Sequence, residues 1–234
     1  MTNPMIHRHR DVQGGAARAA VFGVSDGIVS NVALILGIAG ASTDPAFVRV
    51  AGVSGLLAGA VSMAAGEYIS LKAQAELVER ELEIERTSIA EDLEGETAEL
   101  AALFVHRGLT AEHAERVAAE LMSDPEVALE IHAREELGVD PNQLGNPVSA
   151  AVSSFSAFAL GAFVPLIPWL LGGGDGAVWA SAVLGVTAAA VVGAVLARLT
   201  ERSMLRTVAR QVLVAAGACT ATYLIGGMLG ASVT

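Results

Sequence analysis

The sequence predicts an all-α integral membrane protein with five transmembrane helices and an acidic helical domain between the second and third spans. Three observations lead to this prediction. The 234 residues are 53% hydrophobic with a mean hydropathy of +0.55, yet only 4% are aromatic, so a large soluble core would lack its usual bulky side chains. Five apolar runs approach the ~20 residues that cross a bilayer. Of the 25 acidic residues, 19 lie between Ala73 and Asn146.

The predicted spans follow one another through short connections. The first run carries Asp26 as its only charged residue, and the second begins near Arg49 and ends near Glu67. A glycine-rich segment, GGGDG, follows the third run, and Gly and Ala recur throughout the fifth, which suits close helix packing in lipid. The five runs comprise residues 19–41, 46–71, 148–171, 177–197 and 208–233.

These spans divide the chain into three predicted regions. Residues 1–72 form an N-terminal tail with spans one and two, residues 73–146 form the acidic domain, and residues 147–234 hold spans three to five. The helix of span two is expected to continue to about Leu93, with an interruption at Gly95. Further along the domain, Asp124 is expected to cap a helix that begins at Pro125.

The distribution of arginine predicts the orientation in the membrane. Basic residues collect in the N-terminal tail and between spans four and five, whereas the other short loops have almost none. Because cytoplasmic loops carry the excess of positive charge, we expect the N-terminus and the acidic domain in the cytoplasm and the C-terminus outside. The residues that carry this bias are Arg8, Arg10, Arg18, Arg198, Arg202, Arg206 and Arg210.

The charge and the motifs exclude several functions. A net charge of −11 argues against a nucleic-acid partner, because phosphate binding needs basic residues. The single cysteine, Cys219, lies in an apolar run and provides neither a disulfide framework nor a cysteine metal site. A phosphate-binding Gly-Lys-Thr loop and the Glu-x-x-His pairs of di-iron oxidases do not occur in the sequence. Divalent metal cations or basic proteins are the expected partners of the acidic segment, and membrane lipid is the expected partner of the spans.

The first span contains a carboxylate, Asp26, within the segment GVSDGIVSN. A charged side chain at the centre of a span costs at least about 2.5–3.5 kcal/mol, so it should face a polar cavity or a partner. Ser30 and Asn31 follow about one turn later and are expected to line the same cavity. The alternative is that Asp26 lies close enough to the helix end to reach interfacial water.

On the second span, small and functional residues recur every four positions at Gly55, Gly59, Met63 and Glu67. This spacing places them along one face of the helix. The glycine pair permits another helix to approach closely. A thioether and a carboxylate one turn apart suit Fe²⁺, which lies between the hard and soft extremes. The pattern predicts a cation path; the alternatives are ordinary packing for Met63 and a solvated interfacial charge for Glu67.

In the acidic domain, carboxylates and one imidazole recur in pairs at helical spacing. Like charges on one helix face repel each other, so cations would stabilise these helices. Carboxylates with one imidazole suit Fe²⁺, Mn²⁺ or Zn²⁺ better than Ca²⁺, which takes only oxygen ligands. The alternative is a solvated acidic surface. The candidate ligands are Glu81 and Glu85, Glu96 and Glu99, and His132 and Glu136.

The segments SDGIVSNVALILGIAGA, GLLAGAVSMAAGEYIS and DPEVALEIHAREELGV resemble the vacuolar iron transporter family over nearly the whole chain. The resemblance implies a homodimeric transporter, not an enzyme, that moves Fe²⁺ out of the cytoplasm in exchange for protons. Asp26 and Met63 match family residues that line the path at the dimer interface. The remaining matches are metal-binding glutamates of the cytoplasmic domain, at Glu85, Glu96, Glu99 and Glu136.

Three positions depart from the family pattern. Ser88 stands where a further glutamate is expected, and Glu81 is the candidate substitute. His132 replaces a methionine and changes the softness of that ligand. Gly55 stands where plant members carry a glutamate, so Glu67 is a candidate for part of its role. The expected cargo is therefore Fe²⁺, with Mn²⁺, Zn²⁺ and Co²⁺ as alternatives.

The leading hypothesis is an Fe²⁺/H⁺ antiporter in the plasma membrane of a prokaryote, with no prosthetic group. A transporter of the same mechanism for Mn²⁺ is one alternative. A second is a membrane-anchored metal-buffering protein without transport, which would have no use for Asp26. A third, a membrane oxidoreductase acting on iron, is disfavoured because the Glu-x-x-His pairs are missing.

Overall fold

The structure is a computed structural model that describes residues 15–141 and 144–231. Within that part of the chain, five helical stretches are long and apolar enough to cross a membrane by length and composition, and no strand occurs. The prediction of an all-α protein with five spans is confirmed; the cytoplasmic location of the inserted domain stays a prediction. The helices are α1 Gly15–Ala41, α2 Pro45–Glu91, α3 Leu93–His106, α4 Ala111–Leu121, α5 Pro125–Glu135, α6 Pro147–Phe163, α7 Ile167–Leu171, α8 Asp175–Leu199 and α9 Met204–Ala231.

The chain divides into two compact units. Unit one comprises the residues up to Ile69 and from Asn146 onward, and unit two comprises Ser70–Gly145. Helix α2 contributes its apolar first part to unit one and its acidic second part to unit two. Arg8 and Arg10, which support the predicted orientation, lie outside the described residues.

Helix α1 is the centre of unit one and packs against α6, α8 and α9. Glycines allow the backbones to touch. A Cβ at Gly27 would meet the backbone of Phe158 and Ala162 on α6, and a Cβ at Gly226 on α9 would meet the backbone of Gly37 on α1. Close approach of this kind is how helices gain van der Waals contact in lipid, where the hydrophobic effect between helices is absent.

The third predicted span is not one continuous helix. Helix α6 ends at Phe163, a 3₁₀ turn covers Val164–Leu166, and α7 begins at Ile167. Pro165 and Pro168 explain the break, because each lacks the N–H that an α-helix would direct to the preceding turn. On the C-terminal side of the break, Arg49 of α2 donates hydrogen bonds to the carbonyl oxygens of Trp169 and Gly172, at 2.5 and 2.9 Å.

Unit two is a small helical bundle whose core is built mainly from alanines and a few larger side chains. Leu100 on α3, Ala114 and Ala118 on α4, and Ala128 on α5 are completely buried, and Met122 is nearly so. Small residues bring the helix axes close together. Polar side chains one turn from these core residues, on the same inward faces of α2, α3 and α5, come within reach of one another.

The interruption expected at Gly95 occurs three residues earlier, at Asp92. Helix α2 ends at Glu91, and Asp92 is the N-cap of α3, where its carboxylate accepts a hydrogen bond from the Gly95 N–H at 2.9 Å. An aspartate at the N-cap satisfies a backbone donor that the helix itself leaves unpaired. Gly95 therefore lies inside the first turn of α3. The predicted cap at Asp124 is present, since its side chain accepts from Glu126 N and Val127 N.

Candidate metal sites

Four potential ligands converge inside unit two, from three different helices. Glu85 lies on α2, Glu96 on α3, and His132 and Glu136 on α5. One ligand atom from each residue lies within 4.8 Å of all the others. Glu136 is the C-cap residue of α5, and its N–H donates to the His132 carbonyl, so helical geometry holds the two side chains on one face.

The His132 imidazole lies at the centre of this cluster and is 0% exposed. Its Nδ1 atom is 2.9 Å from Glu136 Oε1, 2.9 Å from Glu85 Oε1 and 3.8 Å from Glu96 Oε2. One ring N–H cannot serve all three carboxylates. Nδ1 is hydrogen-bonded to Glu136, so Glu85 Oε1 is within ion-pair distance of the ring but has no hydrogen bond of its own. Among the described residues, the buried His132 Nε2 atom also has no hydrogen-bond partner. The cluster is thus short of positive charge and of donors.

The electrostatics of the cluster follow from this crowding. Burial raises the pKa of the Glu85 carboxyl, on the acidic second part of α2, and the pKa of the Glu96 carboxyl, on α3. Repulsion by the neighbouring carboxylates adds to the rise, and the His132 ring opposes it. A divalent cation would supply the missing charge. Three carboxylate oxygens and one imidazole nitrogen form a donor set that suits Fe²⁺, Mn²⁺ or Zn²⁺.

Two other predicted ligands are outside this group. Glu99 is exposed, and its charge contributes to the raised pKa values of Glu85 and Glu96 without its oxygen joining the cluster. Glu81 is partly buried and is also outside the group of four. Ser88, where the family pattern expects a glutamate, lines a separate shallow surface with Arg80 and Glu83.

In unit one, a groove of about 460 Å³ lies between α1 and α2, with Phe158 of α6 in its wall. Asp26, Met63 and Glu67 all line this groove. Ser30 and Asn31, which the sequence also places at the cavity, are among the other lining residues. The predicted membrane residues therefore share one surface, and it carries two carboxylates and a thioether beside apolar side chains and glycines.

The glycines of α2 shape this groove. A Cβ at Gly59 would collide with the ring of Phe158, and a Cβ at Gly55 would meet Leu34 and Asn31 on α1. Both glycines therefore admit side chains of neighbouring helices, and Phe158 is a lining residue that the sequence patterns did not identify. The sequence gives little indication of this role for Phe158, because a single aromatic residue in an apolar helix is common.

Glu67 has a partner that sequence reasoning missed. Arg18 of α1 lies 3.3 Å from Glu67 Oε1, and the glutamate side chain is only 17% exposed. Lys72, the nearby base in the sequence, instead pairs with Glu76. Arg18 and Glu67 are 49 residues apart, so no local pattern connects them.

Comparisons with known proteins agree with this architecture. The model of the VIT family matches residues 17–227. The chain is 36% identical over 162 residues to a vacuolar iron transporter of Acanthamoeba castellanii and 32% identical over 158 residues to vacuolar iron transporter 1 of Arabidopsis thaliana. Each alignment covers 68% of this chain but only 58% and 63% of those relatives, respectively. Vacuolar iron transporter 1 of Eucalyptus grandis is 28% identical over 94% of this chain and 90% of its own length.

Proposed function

Because the chain belongs to the VIT family, we propose that it is a transporter that carries a divalent metal ion, chiefly Fe²⁺, across a membrane. The observation that carries this proposal is the groove in unit one, where Asp26, Met63 and Glu67 line one surface. A carboxylate is expensive within a span and is retained there when it serves ions or protons. The three relatives above are named as iron transporters, which supports iron as the cargo.

The proposed transport has two stages. Unit two captures the cation at Glu85, Glu96, His132 and Glu136, and the ion then passes along the groove of unit one. Asp26 would bind it there, because a carboxylate attracts a cation strongly where water is scarce. The charge on Glu67 is balanced by Arg18. Protonation of Asp26 or Glu67 would lower cation affinity and promote release, so we propose protons as the counter-ion.

We propose export from the cytoplasm. Arg198 lies in the last turn of α8, and Arg202 lies between α8 and α9. Together with Arg18 near the start of α1, they support a cytoplasmic location for those ends of the helices. The connection after α2 lies on the same side by helix order, which would put the acidic unit in the cytoplasm. A prokaryotic plasma membrane is the proposed location.

A homodimer is part of the same proposal. The apolar part of α2 exposes Phe47, Val50, Leu57 and Val61 in the single chain. A second copy would cover some of this surface and lipid the rest. A dimer built on α2 would also enclose the groove, which is open in one chain, and would exclude water from the ion path.

Two other functions follow from specific observations. The ligand set of unit two also suits Mn²⁺, so a manganese transporter of the same mechanism is the second candidate. The four ligands converge within unit two alone, so a membrane-anchored buffering protein would need nothing else. The buffering function leaves Asp26 without a role, which favours transport.

Uptake by proteoliposomes tests the proposal. We expect purified protein to move Fe²⁺, supplied anaerobically, when a pH gradient is present, and to move Mn²⁺, Co²⁺ or Zn²⁺ less well. Asp26→Asn should abolish this flux, because the substitution removes the charge that binds the ion while preserving side-chain shape. Asp175→Asn is the matched control, since Asp175 is an exposed carboxylate in the first turn of α8 and does not line the groove.

The possible results separate the candidates. Flux that is greatest for Mn²⁺ would select the manganese transporter. Metal binding without flux would select the buffering protein. Wild-type rates in the Asp26→Asn protein would remove this carboxylate from the ion path.

A further inference from the structure

Asn31 is a buried polar side chain in the first span. It lies on α1 and is 2% exposed. Its side-chain amide donates a hydrogen bond of 2.6 Å to the Ala162 carbonyl oxygen, on α6 just before the break at Pro165. This bond connects α1 with α6 across unit one.

The hydrogen bond determines which way the amide faces. A carbonyl oxygen only accepts, so the NH₂ group of Asn31 must point to Ala162, and a flipped amide would place two acceptors together. The other end of the amide, Oδ1, therefore points away from α6. Among the described residues, Oδ1 has no hydrogen-bond partner although it is buried. A buried acceptor without a partner is unusual, because it has lost its water and gained nothing in return.

Oδ1 lies at the groove. Asn31 is one of its lining residues, together with Asp26 and Met63. On the facing helix α2, a Cβ at Gly55 would be 2.8 Å from Oδ1. The end of the Leu34 side chain is the other nearest neighbour of that position, and a leucine can rotate away. Leu34 Cδ2 lies even closer to that position than Oδ1 does, so the space beside Gly55 opens to a small occupant, next to a fixed and unsatisfied oxygen, when this leucine rotates.

We infer that Asn31 Oδ1 is an oxygen ligand for the cation as it passes Gly55, in the groove that Asp26 and Met63 also line. The inference rests on the proposed function, in that the groove is taken to hold a divalent metal ion. An amide oxygen is a hard, neutral ligand that suits Fe²⁺ and Mn²⁺. Because it does not titrate, it attracts the ion equally before and after a carboxylate is protonated. Asn31 thus offers the ion a contact that does not change with pH, while the carboxylates control release.

The simpler role for Asn31 is to tie α1 to α6. Two variants separate this role from ligation. Asn31→Leu removes both the donor and the oxygen at similar volume. Gly55→Ala leaves the bond to Ala162 intact but places a methyl group against Oδ1. Because the new methyl group would also meet Leu34, Gly55→Ala is compared in a Leu34→Ala background, where that contact is gone. There a structural tie predicts no effect from Gly55→Ala, whereas a ligand predicts the same direction of effect from both variants.

The test measures Mn²⁺ transport by the full chain in proteoliposomes, since Mn²⁺ resists oxidation. We expect both variants to raise KM by roughly tenfold or more, the size of one lost interaction with a charged group, with a smaller change in kcat. Gly217→Ala is the control for the glycine variant, because no described atom lies within 4 Å of that Cβ position. Ser154→Ala is the control for Asn31→Leu, as another buried polar side chain outside the groove.

Direct Mn²⁺ binding, measured by electron paramagnetic resonance, is the second readout. It uses the full chain with the cluster of unit two disabled by His132→Leu and Glu96→Gln, so that binding reports on the groove. Weaker binding after Asn31→Leu or Gly55→Ala supports the ligand role even if the wild type moves no metal, which would overturn transport instead. If Asn31→Leu does not fold, Gly55→Ala carries the test. Unchanged KM and binding in Gly55→Ala would overturn the inference.

Discussion

At the scale of single residues, His132 distinguishes the cluster in unit two from an ordinary acidic surface. Solvated carboxylates repel one another and spread apart, whereas Glu85, Glu96 and Glu136 surround a completely buried imidazole. Burying a polar ring is costly unless it is satisfied, and its Nε2 atom has no partner among the described residues. A bound cation would offset that cost by neutralising the carboxylates and engaging the ring.

The raised pKa values of Glu85 and Glu96 predict how metal binding depends on pH. These carboxyls take up protons at pH values above their usual range, and the protons compete with the metal. We expect the Mn²⁺ affinity of the full chain to fall as the pH is lowered from neutrality, by up to about tenfold per pH unit for each displaced proton. Titration calorimetry in detergent measures this dependence.

Lower pH has opposite effects on metal affinity, which it decreases, and on the stability of the metal-free fold, which it increases. A carboxyl whose pKa is raised by folding stabilises the metal-free fold below its unfolded-state pKa, and this contribution is lost as pH rises through the folded value. Metal-free unit two should therefore tolerate mild acid well. Glu96→Gln should bind more weakly at neutral pH and show a flatter pH dependence, while Glu112→Gln, an exposed change on α4, should match the wild type. Affinity that is constant across the range would contradict the assignment.

At the scale of helices, close backbone contact holds α1 against its neighbours. Gly226 on α9 lies directly against the Gly37 backbone on α1, whereas a Cβ at the adjacent Gly227 would be 3.6 Å from the Gly40 oxygen, an ordinary contact. The two neighbouring glycines therefore differ in what a methyl group would meet. In lipid, such contacts replace the hydrophobic effect as the main attraction between helices.

Alanine substitutions at Gly226 and Gly227 form a matched pair, because only the first would place a methyl group against backbone. We expect Gly226→Ala to destabilise unit one by about 1–3 kcal/mol, the usual cost of overpacking, and Gly227→Ala to have little effect. Cys219, the only cysteine in the sequence, is 8% exposed on α9, so its reaction with a thiol dye during heating reports the unfolding of this region. Equal melting temperatures for the two variants would show that the backbones can separate without cost.

At the scale of the whole molecule, the chain combines two units with different chemistry. Unit one is apolar, with the groove that contains Asp26 and Met63. Unit two is acidic, with the four converging ligands. Helix α2 contributes Met63 and Glu67 to the first and Glu85 to the second, so one helix supplies residues to both candidate metal sites.

Hydrogen exchange of the full chain in detergent should detect metal binding in unit two. With Mn²⁺ added, we expect slower exchange around Glu85, in the first turns of α3, and in α5, because a shared cation holds these helices together. Helix α8 should be unchanged, since none of its residues is a candidate ligand. His132→Ala should lose the protection around Glu85 as well as in α5. Protection spread equally over acidic helices, including α4, would indicate non-specific attraction.

Much of this architecture is predictable from local patterns. Hydropathy identified five spans because each must be apolar along its own length. Four-residue spacing placed Met63 and Glu67 on one helix face, and both line the groove. The aspartate cap at Asp124 was also visible, since capping depends on neighbouring residues. The break at Asp92 was missed because Gly95 gave the stronger local signal.

By itself, the sequence determined the helices, the spans and the residues capable of binding metal, because these properties depend on positions within a few turns of one another. The tertiary structure decided which of those residues meet. It brought Glu85, Glu96, His132 and Glu136 together and left Glu81 and Glu99 outside. It paired Glu67 with Arg18, and it oriented the Asn31 amide through a carbonyl 131 residues away. Ligand geometry depends on how separate helices pack, and packing follows from contacts that no local pattern contains.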